Sequence, residues 1–276
     1  MNFAMRLLRS PESVIGLLVL LAIAGIALLA PALFPRDPLS IAATPLVPPF
    51  TDPAVPLGTD RLGRNVLAGL VHGARASIVV GIAAALVAIL AGAVIGTLAG
   101  FSGGVVDETL MRVVDAFQIV PGFLLALAFV SVLGPSLPTV VLAIALGAWT
   151  GPARLARAEV LSLRERDFVA AARVIGMHPL EIAVREVLPN ALPPVLALTA
   201  VIAAAAVLTE AALSFLGLGD PNIVTWGSMI AEGRTVLRTA PFLSIAPGLA
   251  LVATVLGIYL FAEGLSNVLA RRSVRA

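Results

Sequence analysis

The chain has 276 residues, 59% of them hydrophobic and only 12% charged, with a mean hydropathy of +1.05 and a formal net charge of +2. Soluble domains average roughly 45–50% apolar and about 25% charged, so water is not the main solvent of this chain. All 18 basic residues are arginine and cysteine is absent, which excludes a P-loop (its lysine reaches the nucleotide phosphates), disulfides, thiolate metal sites and a cysteine nucleophile. The pI near 10.3 comes from arginines with few acids beside them, and reads as membrane topology rather than nucleic-acid binding.

Apolar runs of about 20 residues match the length a helix needs to cross ~30 Å of hydrocarbon. Six are predicted, in chain order. Val14 to Phe34 follows a short tail with Arg6 and Arg9, and is longer than the ~7–15 residues of a signal-peptide core, so it reads as an uncleaved first span. A proline-rich segment, Pro35 to Ala76, comes next, with a short surface helix expected to begin within Arg61 to Ser77. Ser77 to Gly100 forms the second span, and Gly92, Gly96 and Gly100 on it repeat at the four-residue spacing that favours close helix packing. Ala116 to Gly134 is the third span, with Pro121 near its start, and Pro138 to Ala153 the fourth. Ala191 to Gly217 is the fifth and contains Glu210, while Phe242 to Ala262 is the sixth. Lipid forces backbone groups to pair within each span, and the Ala- and Leu-rich runs lack strand alternation, so the expected class is an all-α membrane protein.

The arginines orient it. With the N-terminus inside, twelve of the eighteen fall in inner segments, and the even number of spans places both basic termini in the cytoplasm. The richest inner segment is residues 154–190. Asp167 to Ile175 is helix-prone, with Asp167 placed to cap or favour its start. Gly176 is placed to end that helix in a left-handed conformation, Pro179 to open a second short helix and Leu188-Pro189 to stop it. On physics alone this unit is either an amphipathic loop packed on the bundle or a docking surface.

The run Phe168-Val169-Ala170-Ala171-Ala172-Arg173, followed by Gly176 and by Leu188-Pro189-Asn190, resembles the cytoplasmic "EAA" loop of binding-protein-dependent ABC importer permeases. Leu57-Gly58-Thr59-Asp60-Arg61-Leu62-Gly63-Arg64-Asn65 resembles a signature of their dipeptide/oligopeptide/nickel branch. So do Gly73 to Ser77, Gly103-Gly104 with Asp107, Arg112 and Asp115, Glu210 to Gly219, Trp226-Gly227 with Met229, and Pro247-Gly248-Leu249-Ala250. The motifs run in order over nearly the whole chain. Asp167, Phe168 and Glu186 depart from the usual Glu, Tyr and His, and Ala262-Glu263-Gly264-Leu265 from a Gly-Asp-Gly-Leu-like ending.

The resemblance implies a type I importer permease fold of about six transmembrane helices in a bacterial or archaeal inner membrane. Residues 1–76 would supply the tail, first helix and extracytoplasmic loop, and 77–276 a five-helix core. The chain would be a non-catalytic subunit of an ATP-driven importer, most simply for peptides. It would pair with a second homologous permease, two ATPase subunits that bind ATP and Mg, and an extracytoplasmic solute-binding protein. Phe168, Val169, Ala171, Ala172, Arg173, Gly176, Met177, Leu188 and Pro189 would couple it to the ATPases. No substrate-binding residue is assigned.

Glu210 is an intramembrane acid, a functional candidate by default; its family position favours a structural partner near the outer interface. Asp107, Glu108, Arg112 and Asp115 sit at helical spacing at the inner interface, where pairing with one another is the default and contact with an ATPase the alternative. His72 and His178 are isolated, so no metal site is expected. The rival readings are an ion-gradient-driven secondary transporter, which would show broken helices and buried charges near the midplane, where only Glu210 comes close, and a membrane hydrolase, for which no clustered Ser/His/Asp exists.

Overall fold

The structure, a computed structural model, describes residues 10–273. Arg6, Arg9 and Arg275, which contribute to the expected orientation, lie outside the described residues. Those residues form helices and loops, with only the isolated bridges Ile41–Arg64 and Thr59–Asn65 between extended segments.

Helix α1 (Pro11–Leu33) opens with Pro11 in its first turn and Glu12 beside it, both suited to a helix start. A loop of 32 residues leads to α2 (Val66–Ser102), one continuous helix of 37 residues, or about 55 Å at 1.5 Å per residue. The expected surface helix and second span are therefore one element. Asn65 starts it: its side-chain oxygen accepts from the Leu67 and Ala68 N–H groups. The boundary expected between residues 76 and 77 falls inside this helix.

Three further spans are bent. α3 (Gly104–Ile119) and α4 (Gly122–Leu133) meet at 85°. Pro121 lacks an N–H and pushes Val120 into extended backbone, at φ −87° and ψ 126°. The expected straight span Ala116 to Gly134 is thus a corner. α5 (Leu137–Ala148) and α6 (Thr150–Leu163) meet at 47°, so the fourth run continues ten residues beyond Ala153.

α7 (Asp167–Val174) is followed by a single turn, α8 (Pro179–Glu181), a π-helical segment (Ile182–Val187) and α9 (Leu188–Ala197), which meets α10 (Thr199–Phe215) at 50°. Leu188-Pro189 does not stop the chain as expected. The wide π turns shift the hydrogen bonding ahead of Pro189, which lies in the first turn of α9, where a missing N–H costs nothing. α11 (Trp226–Arg234) and α12 (Phe242–Ser273) complete the chain.

α1, α2 and the Phe242–Leu265 part of α12 are each long and apolar enough to cross a membrane, and each bent pair passes the same test jointly, giving three such helices, or up to six spans where each bent pair counts as one. α2 is the central mast. Val80 and Ala84 on it pack with Ala126 and Val130 of α4, Val140 and Ile144 of α5, and Ala206 and Leu213 of α10. α1 runs antiparallel to α12, with Gly16 against the Gly257 and Phe261 backbone. Because α2 is so long, its two ends define two separate faces of the molecule.

Candidate functional site

At the C-terminal end of α2 lies the arginine-rich segment. α7 begins one residue earlier than a cap at Asp167 would require: Arg166 holds the N-cap position without a side-chain bond, and Asp167 sits in the first turn, where its charge favours the helix start. Its end follows the expected chemistry. The Gly176 N–H donates to the Arg173 carbonyl and the Met177 N–H to the Ala172 carbonyl, with Gly176 at φ +82°. This paired closure needs a left-handed residue, which glycine adopts without a Cβ clash. His178 then caps α8 by accepting from the Leu180 N–H.

α7 has two unlike faces. Val169 and Ala172 are buried with Val160 of α6, Ile182 and Val187 of the π segment and Ala191 of α9, with Met177 packed alongside. The other face is bare. Phe168, Ala171, Arg173 and Gly176 are exposed, and Val174 and Ile175 stand 87% and 76% open. Val174 and Ile175 are not among the candidates picked from the sequence. The signal was partial: at about 100° per residue Val174 lies about 140° and 160° round the helix from Val169 and Ala172, while Phe168 and Ile175 flank the buried stripe. Leu188 lies elsewhere, against the Ile89, Ala93, Ala156 and Val195 cluster, and Pro189 is exposed on α9. The nine candidates therefore divide between a surface helix and the bundle below it. A cleft of about 600 Å³ separates the end of α2 from the α7–α8 turn, with Phe101 on one side and Met177 on the other.

The glycines of α2 bring its backbone against α6. A Cβ on Gly92, Gly96 or Gly100 would lie within 3 Å of main-chain atoms of Trp149, Ala153 or Arg157. Charge ties α6 to α3 as well. Arg157 donates from Nε and Nη2 to the two Asp107 oxygens at 2.5 and 2.7 Å, and Arg154 binds Asp115 at 2.5 Å. Arg164 donates to the Gly100 carbonyl at the end of α2. Of the acids and bases on α3, only Glu108 and Arg112 pair with each other as expected. Asp107 and Asp115 reach across to α6 instead.

The opposite face is built around the start of α2. In the Leu57–Asn65 motif several side chains serve local backbone. Thr59 accepts from the Val47 N–H and donates to the Thr44 carbonyl, and Asp60 accepts from the Leu62 and Arg64 N–H groups. Arg61 and Arg64 reach outward to α11: Arg61 donates to Thr235, and Arg64 lies 3.6 Å from Glu232. Burial and the nearby Asp60 charge push the Glu232 carboxyl above its ordinary 4.5, against the pull of Arg64 and Arg61. His72 reaches the Phe34 carbonyl at the end of α1. Glu210 is buried, accepts from Ser214 one turn on at 2.6 Å and from Ser77 of α2 at 3.4 Å, and so joins α10 to α2.

Residues 88–275 match the model of the family described as "Binding-protein-dependent transport system inner membrane component". A probable peptide ABC transporter permease protein of Sinorhizobium fredii is 43% identical over 219 residues, 79% of this chain and 75% of its own. The dipeptide transport system permease protein of Haemophilus influenzae is 34% identical, covering 93% and 89%. The glutathione transport system permease protein of Pectobacterium atrosepticum is 35% identical, covering 97% and 89%. A chain of the methionine ABC transporter, solved in inward-facing conformations, superposes with a TM-score of 0.56 at 17% identity, over 73% of this chain and 97% of that one.

Proposed function

Because the chain belongs to the family of binding-protein-dependent transport system inner membrane components, with the fold of a type I ABC importer permease, we propose that it forms half of the pathway of an ATP-driven peptide importer and is driven through α7. A second homologous permease supplies the other half. Two ATPase subunits dock at the arginine-rich face, which lies in the cytoplasm by the positive-inside bias, and a solute-binding protein delivers peptide to the opposite face. The membrane is the inner membrane of a bacterium or archaeon. The peptide class rests on the relatives named for peptide, dipeptide and glutathione transport.

The observation that carries this reading is the division of α7. Its buried face is keyed by Val169 and Ala172 to α6, the π segment and α9, so a push on α7 moves those elements with it. Its bare face presents Phe168, Val174 and Ile175 with Arg173 beside them. Exposed apolar side chains outside the bilayer are the kind of surface that a partner groove covers. ATP and Mg²⁺ bind on the partner, since this chain has no lysine for a P-loop.

A chain without cysteine allows a clean test. In the reconstituted complex, Val174→Cys is expected to cross-link to a single cysteine placed in the docking groove of the ATPase, and to be shielded from maleimide. If Val174→Cys reacts with maleimide as fast in the complex as in the isolated chain, and forms no cross-link, α7 is not the docking element.

A further inference from the structure

A cavity of about 360 Å³ opens on the face opposite α7, between the start of α2, the end of α10 and α11. Its walls carry Asp60, Arg61, Arg64, Asp220 and Glu232. Such a volume lies at the low end of the range for small-molecule sites, roughly 300–1,000 Å³. A sphere of that size is about 9 Å across, and two extended residues span about 7 Å.

Asp60, Arg61 and Asp220 already have hydrogen-bond partners, but one charged pair in the cavity is loosely held. Arg64 and Glu232 face each other at 3.6 Å as an ion contact without a hydrogen bond among the described residues. The Glu232 side chain stays 47% exposed and so within reach of a ligand, while its partial burial and Asp60 raise its proton affinity and favour an added cation. A neutral ligand entering the cavity would desolvate these groups and return nothing. An anion or a cation alone would engage one member of the Arg64–Glu232 pair and leave the other uncompensated. A ligand with a carboxylate and an ammonium at its two ends replaces one loose contact by two charge-assisted hydrogen bonds.

We propose that this cavity is a binding site for a zwitterionic dipeptide, whose terminal carboxylate meets Arg61 and Arg64 and whose terminal ammonium meets Glu232 and Asp60. It is a waypoint at the outer mouth on this chain itself, separate from the solute-binding protein. The proposal rests on the peptide-importer reading for its choice of zwitterion.

The test uses the assembled permease–ATPase complex in nanodiscs without its binding protein, with L-Ala-L-Ala as the calorimetric probe. L-Ala-L-Ala is expected to bind, and N-acetyl-L-Ala-L-Ala-amide to bind at least about tenfold more weakly, as the loss of charge-assisted contacts requires. This comparison needs no substitution. Arg64→Gln and Glu232→Gln, each checked by its melting curve, are expected to weaken L-Ala-L-Ala at least about fivefold. Equal binding of the blocked dipeptide, unchanged binding in both variants, or no binding of L-Ala-L-Ala at all overturns the site. ATP-driven uptake of L-Ala-L-Ala by the full system reports separately: uptake without cavity binding removes only the site. Cavity binding in a system that imports no peptide removes the peptide-importer reading and leaves a zwitterion site.

Discussion

Gly96 sits so close to Ala153 that a Cβ on it would lie 2.2 Å from the Ala153 carbonyl oxygen. No rotamer relieves such a contact, because the obstacle is main chain. Gly96→Ala therefore forces α2 and α6 apart, at a cost of about 1–3 kcal/mol typical of overpacking, and is expected to lower the melting temperature of the purified chain. Gly25→Ala is the control. Nothing lies within 4 Å of a Cβ there, so the change is expected to be neutral or to stabilise by up to about 1 kcal/mol.

The two-pronged contact of Arg157 with Asp107 predicts that charge alone will not replace it. Arg157→Lys keeps the charge and loses the planar fork. Both side chains are partly open to solvent, so the loss is on the order of 1 kcal/mol. Arg157→Lys and Asp107→Asn are expected to melt lower by similar amounts, with the double variant no worse than either single one. Additive losses in that double-mutant cycle would show that the two residues act independently.

Glu210 predicts a difference between two neutral replacements. Glu210→Gln retains an acceptor for Ser77 or Ser214. Glu210→Leu leaves both hydroxyls buried without it, at about 1–3 kcal/mol for each unsatisfied group. The expected readout is folded yield after detergent extraction, close to the parent for Gln and sharply reduced for Leu. Equal yields would mean that this network does not hold α10 to α2.

Much of this arrangement is legible in the sequence because hydrocarbon imposes so simple a rule. Six apolar runs recur as three long helices and three bent pairs, and Gly176 announces the end of α7 because a left-handed residue is required there. Breaks and continuations are less legible, since they depend on where a missing N–H falls. Pro121 produces an 85° corner because Val120 goes extended, yet Pro189 is absorbed by the π turns before it. Pairings between helices are legible least. Asp107 has Arg112 five residues away on its own helix but binds Arg157, and only the packing of α3 against α6 decides between them. The bare face of α7 follows the same logic: Val174 and Ile175 read as core residues until the buried side of the helix is known.

Glu232 gives stability a pH dependence of stated sign. Its folded-state pKa is raised above the ordinary 4.5 by burial first and Asp60 second, so the folded chain holds this proton more tightly than the unfolded one. The contribution is fully present below about 4.5 and is lost as pH rises through the raised folded value. Relative to Glu232→Gln, which does not titrate, the parent chain is expected to gain stability on acidification from pH 8 to pH 4. A constant difference between the two melting curves across that range would contradict the assignment.

The central claim is that ATP hydrolysis is transmitted through the bare face of α7. Val174 and Ile175 are exposed and carry none of the α7 core, so Val174→Asp/Ile175→Asp should leave the chain folded while spoiling an apolar seat on the ATPase. The measurement is ATP hydrolysis by the reconstituted transporter with and without its loaded binding protein. Loss of the substrate-stimulated component, in chains that still fold and reach the membrane, is the predicted result. Undiminished stimulation in the double variant would contradict it.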